Sequence, residues 1–196
     1  LQRLAERVRQ TPPGEWVSGH GFNHNVWAEG AGDAAELDAI APHNPVYITH
    51  KSLHSAWVNS LALDRAGLTA STPDPEGARL GRKLGGSLDG ILYEGNAMVL
   101  VENVIPKPTI QHITEVVRQA LPRLWQVGLT GVHDFDRRDC FAALQNLHRA
   151  GELNLRVLKS LPLEDLPQAA ALSLHSGFGD DMLRIGHVKA FMDGAL

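Results

Sequence analysis

The chain has 196 residues, enough for a sizeable core but fewer than the roughly 250 of a complete (β/α)8 barrel. Hydrophobic residues make up 43% and charged residues 20%, with a net charge of −4, so we expect a globular protein that binds neither nucleic acid nor membrane. The single cysteine, Cys140, excludes an intrachain disulfide and a cysteine-rich zinc site, and favours a cytoplasmic location. Because the chain starts at Leu1 and ends in strand-like sequence, we expect an internal piece of a longer protein.

The first half of the chain predicts a mixture of short helices and strands. Apolar residues at helical spacing predict a helix over 1–10, which Pro12 and Pro13 stop. Asp33 is expected to cap a short helix that ends at Pro42. The remaining predictions are strands at 15–19 and 45–50, a helix over 54–63, and a loop or hairpin over 69–90.

From residue 109 onward, helical and strand patterns alternate. Helices are predicted at 109–127, 140–150 and 163–176, and strands at 129–134, 153–158 and 183–192. Pro122 should kink or split the first helix, because proline cannot donate a backbone hydrogen bond. The alternation predicts an α/β fold with a parallel sheet. We therefore expect part of a (β/α)8 barrel, with a barrel helix at 1–13, an inserted α+β lobe at 14–105 and consecutive βα units at 106–196.

Three polar groups follow or end predicted strands of this second half. They are His133 with Asp134, Lys159 with Ser160, and Lys189 with Asp193. In α/β barrels the carboxyl ends of the strands carry the catalytic side chains, so all three groups are candidates. His133 and Asp134 form either a catalytic pair or, as is more common, a loop in which Asp134 caps the next helix.

Lys189 lies within an apolar strand, where burial of an ammonium ion is costly. Burial favours the neutral amine, which can react with carbon dioxide to give an anionic carbamate that bridges two divalent cations. The alternatives are an ion pair with Asp193 or a side chain that extends to the barrel mouth. His20 and His24 could share a metal ion, but surface or packing roles are more common for such histidines.

These motifs together resemble amidohydrolase family 3 of the amidohydrolase superfamily. The two most specific matches are residues 54–63 (HSAWVNSLAL) and 188–196 (VKAFMDGAL). Weaker matches support them at 19–27, 36–38, 45–46, 74–77, 89–94 and 128–134.

The resemblance implies a metal-dependent barrel hydrolase, of the zinc type, that acts on amide or formamide C–N bonds in small molecules. In such enzymes Lys189 would be the carboxylated lysine that bridges two metal ions, and water activated between these ions would attack the substrate carbonyl. His54 and Trp57 would lie near the substrate pocket, as would His133, Asp134 and Asp193. The family's H-x-H motif, two further histidines and a final aspartate have no counterpart in this sequence, so we expect the isolated chain to bind no metal and to be inactive.

Two other functions stay open at this level. One is a non-catalytic binding or scaffold module of α/β fold, and the other is an enzyme that uses His133 and Asp134 without a metal ion. A partial barrel would also leave strand edges unpaired, which favours self-association through these edges.

Overall fold

A computed structural model describes residues 1–23 and 32–191 of the chain. Its contacts divide the chain into two compact units, which we call unit 1 (up to Pro106) and unit 2 (from Lys107). Within the described residues, no helix is both long enough and apolar enough to cross a bilayer.

Unit 1 is built on a five-stranded sheet in the order β1-β2-β3-β5-β4. Strands β1 and β2 are parallel, and the other neighbours are antiparallel. The strands are β1 (Val17–Phe22), β2 (Val46–His50), β3 (Ser55–Val58), β4 (Arg79–Arg82) and β5 (Leu88–Tyr93). The helices are α1 (Gln2–Arg9), α2 (Ala34–Ile40), α3 (Ser60–Arg65) and α4 (Gly95–Glu102). Asp33 caps α2 as predicted, in a capping box with Glu36.

Both faces of this sheet are buried. Helices α3 and α4 pack on one face, where Leu63 and Met98 meet sheet residues such as Leu92. Helices α1 and α2 cover the other face, where Leu37 packs with Trp57. A central strand of such a sheet has no solvent-facing side chains, so its sequence is continuously apolar rather than alternating.

The prediction of a helix over residues 54–63 is wrong in its first half. Residues Ser55–Val58 form the fully buried strand β3, and the helix begins only at Ser60. A short apolar run does not distinguish a buried strand from a helix by periodicity alone. The predicted loop or hairpin at 69–90 contains β4 and the start of β5, which pair as an antiparallel hairpin.

Asn59 joins β3 to α3 and is completely buried. Its side-chain oxygen accepts hydrogen bonds from the backbone N–H groups of Val46 (2.9 Å) and Ala62 (3.1 Å). Its amide nitrogen donates to the carbonyls of Asn44 (2.9 Å) and Ala41 (3.3 Å). One side chain thus caps α3 and ties it to the start of β2.

We predict that Asn59→Ala lowers the free energy of unfolding by about 2–3 kcal/mol, because it removes a helix cap and leaves buried backbone groups unpaired. Urea denaturation of the purified chain measures this. Asn96 is exposed and donates one hydrogen bond to the carbonyl of Glu76, so Asn96→Ala is a matched control with an expected change within about 0.5 kcal/mol. Equal losses in the two variants would contradict this role of Asn59.

Unit 2 contains a three-stranded parallel sheet in the order β6-β7-β8. The strands are β6 (Gly131–Asp134), β7 (Arg156–Pro162) and β8 (Leu183–Lys189). The helices are α5 (Ile110–Gln126), α6 (Arg138–Arg149) and α7 (Leu166–Ala171), the last preceded by a 3-10 turn over Leu163–Asp165. Apolar side chains of α5 and α6, such as Leu121 and Leu147, pack with Leu155 and Val157 on one face of this sheet.

Helix α5 runs through Pro122 without interruption, so the predicted split of this helix does not occur. The helix predicted over 163–176 ends earlier, since α7 stops at Ala171. The alternation of helices with parallel strands confirms the predicted α/β class, as a partial barrel-type hydrolase fold.

Candidate active site

The carboxyl ends of β6, β7 and β8 lie at one edge of the unit 2 sheet, because the three strands are parallel. Asp134 ends β6, Pro162 ends β7 and Lys189 ends β8. Strand β7 is longer than predicted, so Lys159 and Ser160 lie inside it rather than after it. In barrel folds this edge is where side chains from different strands meet to perform chemistry.

The two faces of this sheet differ in character. Val132 and Val157 contact the apolar core beneath α5 and α6. The opposite face carries a polar group made of His133, Ser160 and His187, which we call the inner polar group. Nε2 of His187 lies 3.1 Å from Oγ of Ser160, and the rings of His133 and His187 are 6.0 Å apart between centroids.

An irregularity in the pairing of β7 with β8 sets the direction of Lys189. Lys159 pairs with Ile185, but Leu161 pairs with Val188, so β8 has one extra residue between these pairs. Leu183 and Ile185 are buried, yet His187 contacts the opposite face. A β-bulge of this kind shifts the alternation of side chains by one position. The alternation after the bulge places Lys189 on the same face as His187.

Two aromatic rings border the Lys189 ammonium group. Nζ lies 4.7 Å from the ring centroid of Phe191 and 5.8 Å from that of Phe135. Phe135 follows β6, and the centroids of the two rings are 6.3 Å apart. Lys189 is half-buried at the carboxyl-end edge, with its ammonium group beside two aromatic rings.

Lys159 is the most deeply buried charged residue described, at 1% exposed. Nζ donates to Oδ2 of Asp134 at 2.6 Å and to the backbone carbonyl of Asp136. It also lies 6.0 Å from the ring centroid of Phe141 in α6, so the side chain is on the helix-facing side of the sheet. Asp134 does not cap α6, whose N-cap residue is Arg137, and pairs with Lys159 instead.

Asp134, Asp136 and Cys140 are the one group of three potential metal ligands among the described residues. The Lys159 ammonium group already donates to Asp134 and to the backbone of Asp136, so the protein supplies its own cation there. Burial, followed by the negative charges of Asp134 and Asp136, raises the pKa of the Cys140 thiol to about 12. At neutral pH this thiol is protonated and is a poor metal ligand.

Unit 1 contains the other two predicted pocket residues. Nδ1 of His54 lies 3.1 Å from Oε2 of Glu94, with the side chains 43% and 29% exposed. Trp57 is 2% exposed in the core of unit 1, where its ring packs against that of Phe22 with centroids 6.0 Å apart. This position gives Trp57 a packing role.

His20 is the one member of the predicted His20–His24 pair that the structure describes. Its Nδ1 lies 2.9 Å from Oγ1 of Thr49.

The structure thus separates some residues that the sequence placed together. His133 and Asp134 point to opposite faces of the sheet, so they do not form a hydrogen-bonded pair. Asp193 and His24 lie outside the described residues. Sequence reasoning gave no role to His187, or to Glu94 at the end of the motif match 89–94, because the partner of each is a residue distant in the chain.

A groove of about 250 Å³ opens on the face that carries His133, and a second of about 320 Å³ lies beside Trp125 and Met182. The second groove is lined by Arg156, the first residue of β7, and by residues that precede the three strands, so it lies at their amino ends. Barrel enzymes bind substrates at the other end, which favours the Lys189 edge as the site of chemistry.

The chain is similar to a known family and to several known proteins. All residues 1–196 match the sequence model of the amidohydrolase family. YtcJ of Bacillus subtilis (strain 168), described as an amidohydrolase, is 30% identical over the whole chain. The N-substituted formamide deformylase of Arthrobacter pascens is 34% identical over 68% of the chain. The chain spans 38% and 26% of the length of these two relatives.

Two solved structures share the fold. Both are described as uncharacterized metal-dependent hydrolases, one from Pyrococcus horikoshii OT3 and one from Pyrococcus furiosus. Their TM-scores are 0.65 and 0.62, with 24% and 25% sequence identity. Each similarity covers 99% of this chain, but only 37% and 38% of the solved chains.

Proposed function

The chain belongs to the amidohydrolase family, and from that premise we propose that it is part of a metal-dependent hydrolase that cleaves a non-peptide C–N bond of the amide or formamide type in a small molecule. The name of the Arthrobacter pascens relative supports the bond type, and the descriptions of the Pyrococcus structures support metal dependence. The proposed location is the cytoplasm.

The observation that carries this proposal is the position of Lys189. It ends a parallel strand, faces the same side as the inner polar group and lies beside two aromatic rings. We propose that its neutral amine attacks carbon dioxide, forms an N–C bond and releases a proton, which leaves an anionic carbamate. Two oxygens of this carbamate suit a bridging role between two divalent ions, for which we propose zinc.

Lys189 fits such a site as one ligand, and we propose that the other ligands lie in the part of the full-length protein that this chain does not include. A bound divalent ion would supply a water molecule whose pKa falls toward about 7. The chain's own residues would position the bridging ligand: the rings of Phe135 and Phe191 lie beside Nζ. The hydrogen bond between Ser160 and His187 fixes β8 two residues before Lys189.

The test uses the full-length protein and the 196-residue chain in parallel. We expect the full-length protein to bind two metal ions and to hydrolyse an N-substituted formamide, with activity lost to a chelator and restored by zinc. We expect the isolated chain to have neither property, and to self-associate through the open edges of β6 and β8. A metal-free full-length protein without hydrolase activity would favour a binding or scaffold module instead.

A further inference from the structure

Two arginines lie on the sheet face of unit 2 that carries the inner polar group, toward the amino ends of the strands. Arg156 begins β7, and Arg184 is the second residue of β8. Their neighbours Val157 and Leu183 are buried in the core beneath α5 and α6, so strand alternation places both arginines on the opposite face. Both side chains are exposed, and both line the groove of about 250 Å³ beside His133.

The two guanidinium groups lack an anionic partner in the described part of the chain. Neither forms an ion pair with a described residue. Asp181 lines the same groove, but it precedes β8 and pairs with neither arginine. The one carboxylate in β6, β7 and β8 is that of Asp134, which pairs with Lys159 on the helix-facing side. The amino-end half of the inner face is therefore cationic.

A cationic face of this kind is costly to cover. In a (β/α)8 barrel this face points into the barrel, whose interior is filled by side chains of the other strands. Arginine is almost never fully buried without a partner, because its lost hydration must be offset. This chain spans only 37% and 38% of the similar Pyrococcus hydrolases, so a full-length protein of that kind has further strands to cover the face. Those strands would have to supply negative charge.

We propose that Arg156 and Arg184 form buried ion pairs with aspartate or glutamate side chains of barrel strands that this chain does not include. A planar guanidinium group matches the two oxygens of a carboxylate, so each arginine suits one such partner. The pairs close the barrel interior at the opposite end of the strands from Lys189. The proposal rests on the proposed function for the barrel of the full-length protein, and is independent of its hydrolase activity.

Arginine labelling with phenylglyoxal, read out by mass spectrometry, tests whether the two side chains are covered. We expect both to react at least about tenfold more slowly in the full-length protein than in the isolated chain, because a buried side chain reacts only when its surroundings open. Arg123, an exposed arginine of α5, should react similarly in both proteins. Equal rates for Arg156 and Arg184 in the two proteins would overturn the proposal.

The same labelling separates a carboxylate partner from a free anion. Two arginines in a groove also suit a small anion such as inorganic phosphate, but a barrel interior filled by side chains favours carboxylates. We therefore expect millimolar phosphate to leave the labelling of the isolated chain unchanged. Protection of both arginines by phosphate would indicate a site for a free anion and would overturn the proposed ion pairs.

Substitution of Arg184 tests whether its partner is negatively charged. In the full-length protein, Arg184→Met leaves a buried carboxylate without a cation, so we expect the melting temperature to fall by about 5–10 °C. Arg184→Lys keeps the charge and should lose less. In the isolated chain, where this side chain is exposed, Arg184→Met should shift the melting temperature by less than about 2 °C, as should the control Arg123→Met in both proteins.

These outcomes are separate from those that test the hydrolase. A full-length Arg184→Met protein that melts as high as the wild type would overturn the anionic partner. If Arg184→Met does not fold, Arg184→Lys and the labelling of the wild type still decide. Covered arginines in a protein without amide hydrolysis would refute only the proposed function, and amide hydrolysis by a protein with freely labelled arginines would refute only the ion pairs.

Discussion

Lys189→Ala in the full-length protein is expected to lower kcat/KM by at least about a thousandfold, which corresponds to about 4 kcal/mol of transition-state stabilisation. Alanine has no amine, so in the proposed site no carbamate would form and both metal ions would lose a shared ligand. Loss of residues that only support metal ligands typically costs 10–100-fold, and loss of a bridging ligand should exceed this. Metal analysis should show fewer than two ions per chain in the variant.

Two controls separate this role from a structural one. Lys107→Ala removes an exposed lysine of unit 2 and should leave metal content and kcat/KM unchanged. Metal loading of the wild type in buffer stripped of carbon dioxide should give an inactive protein, and bicarbonate should restore activity, because the carbamate forms reversibly. If Lys189→Ala kept its metal ions and its activity, Lys189 would not be a ligand.

The direction of Lys189 shows a limit of sequence reasoning. The motif and the strand could be predicted, since apolar β-rich segments alternate with helices in this half of the chain. Simple alternation from Leu183 and Ile185, however, would point Lys189 toward the helices. The extra residue in β8 reverses this, and Gly186 sits in the bulge, where a Cβ would come within 2.7 Å of Leu158 Cγ.

Long-range pairing limits prediction in the same way. Asp134 and Lys159 are 25 residues apart and meet only because β6 and β7 pair in one particular register. Local sequence cannot specify that register, so Asp134 was assigned to a catalytic pair or to a helix cap. Strand β3 was missed for a related reason, since burial on both faces removes the alternating pattern by which strands are recognised.

Lys159→Met is expected to lower the free energy of unfolding of the chain by about 3–5 kcal/mol. Methionine has a similar length and is well tolerated in cores, so the loss comes from Asp134. This carboxylate is only 14% exposed and would lose the cation beside it. The Asp136 carbonyl would also lose its hydrogen-bond donor. This loosens the segment after β6, in which the Phe135 ring lies beside Lys189. Urea denaturation gives the size of the loss.

A matched variant and a double variant show whether burial causes this loss. Lys83 and Asp33 form an ion pair of the same 2.6 Å length with both side chains more than a third exposed, so Lys83→Met should cost less than about 1 kcal/mol. Replacing Asp134 with leucine as well as Lys159 with methionine should recover most of the lost stability, because an apolar pair needs no compensation for lost hydration. If Lys159→Met cost no more than Lys83→Met, the buried ion pair would not be what holds the carboxyl end of β6 in place.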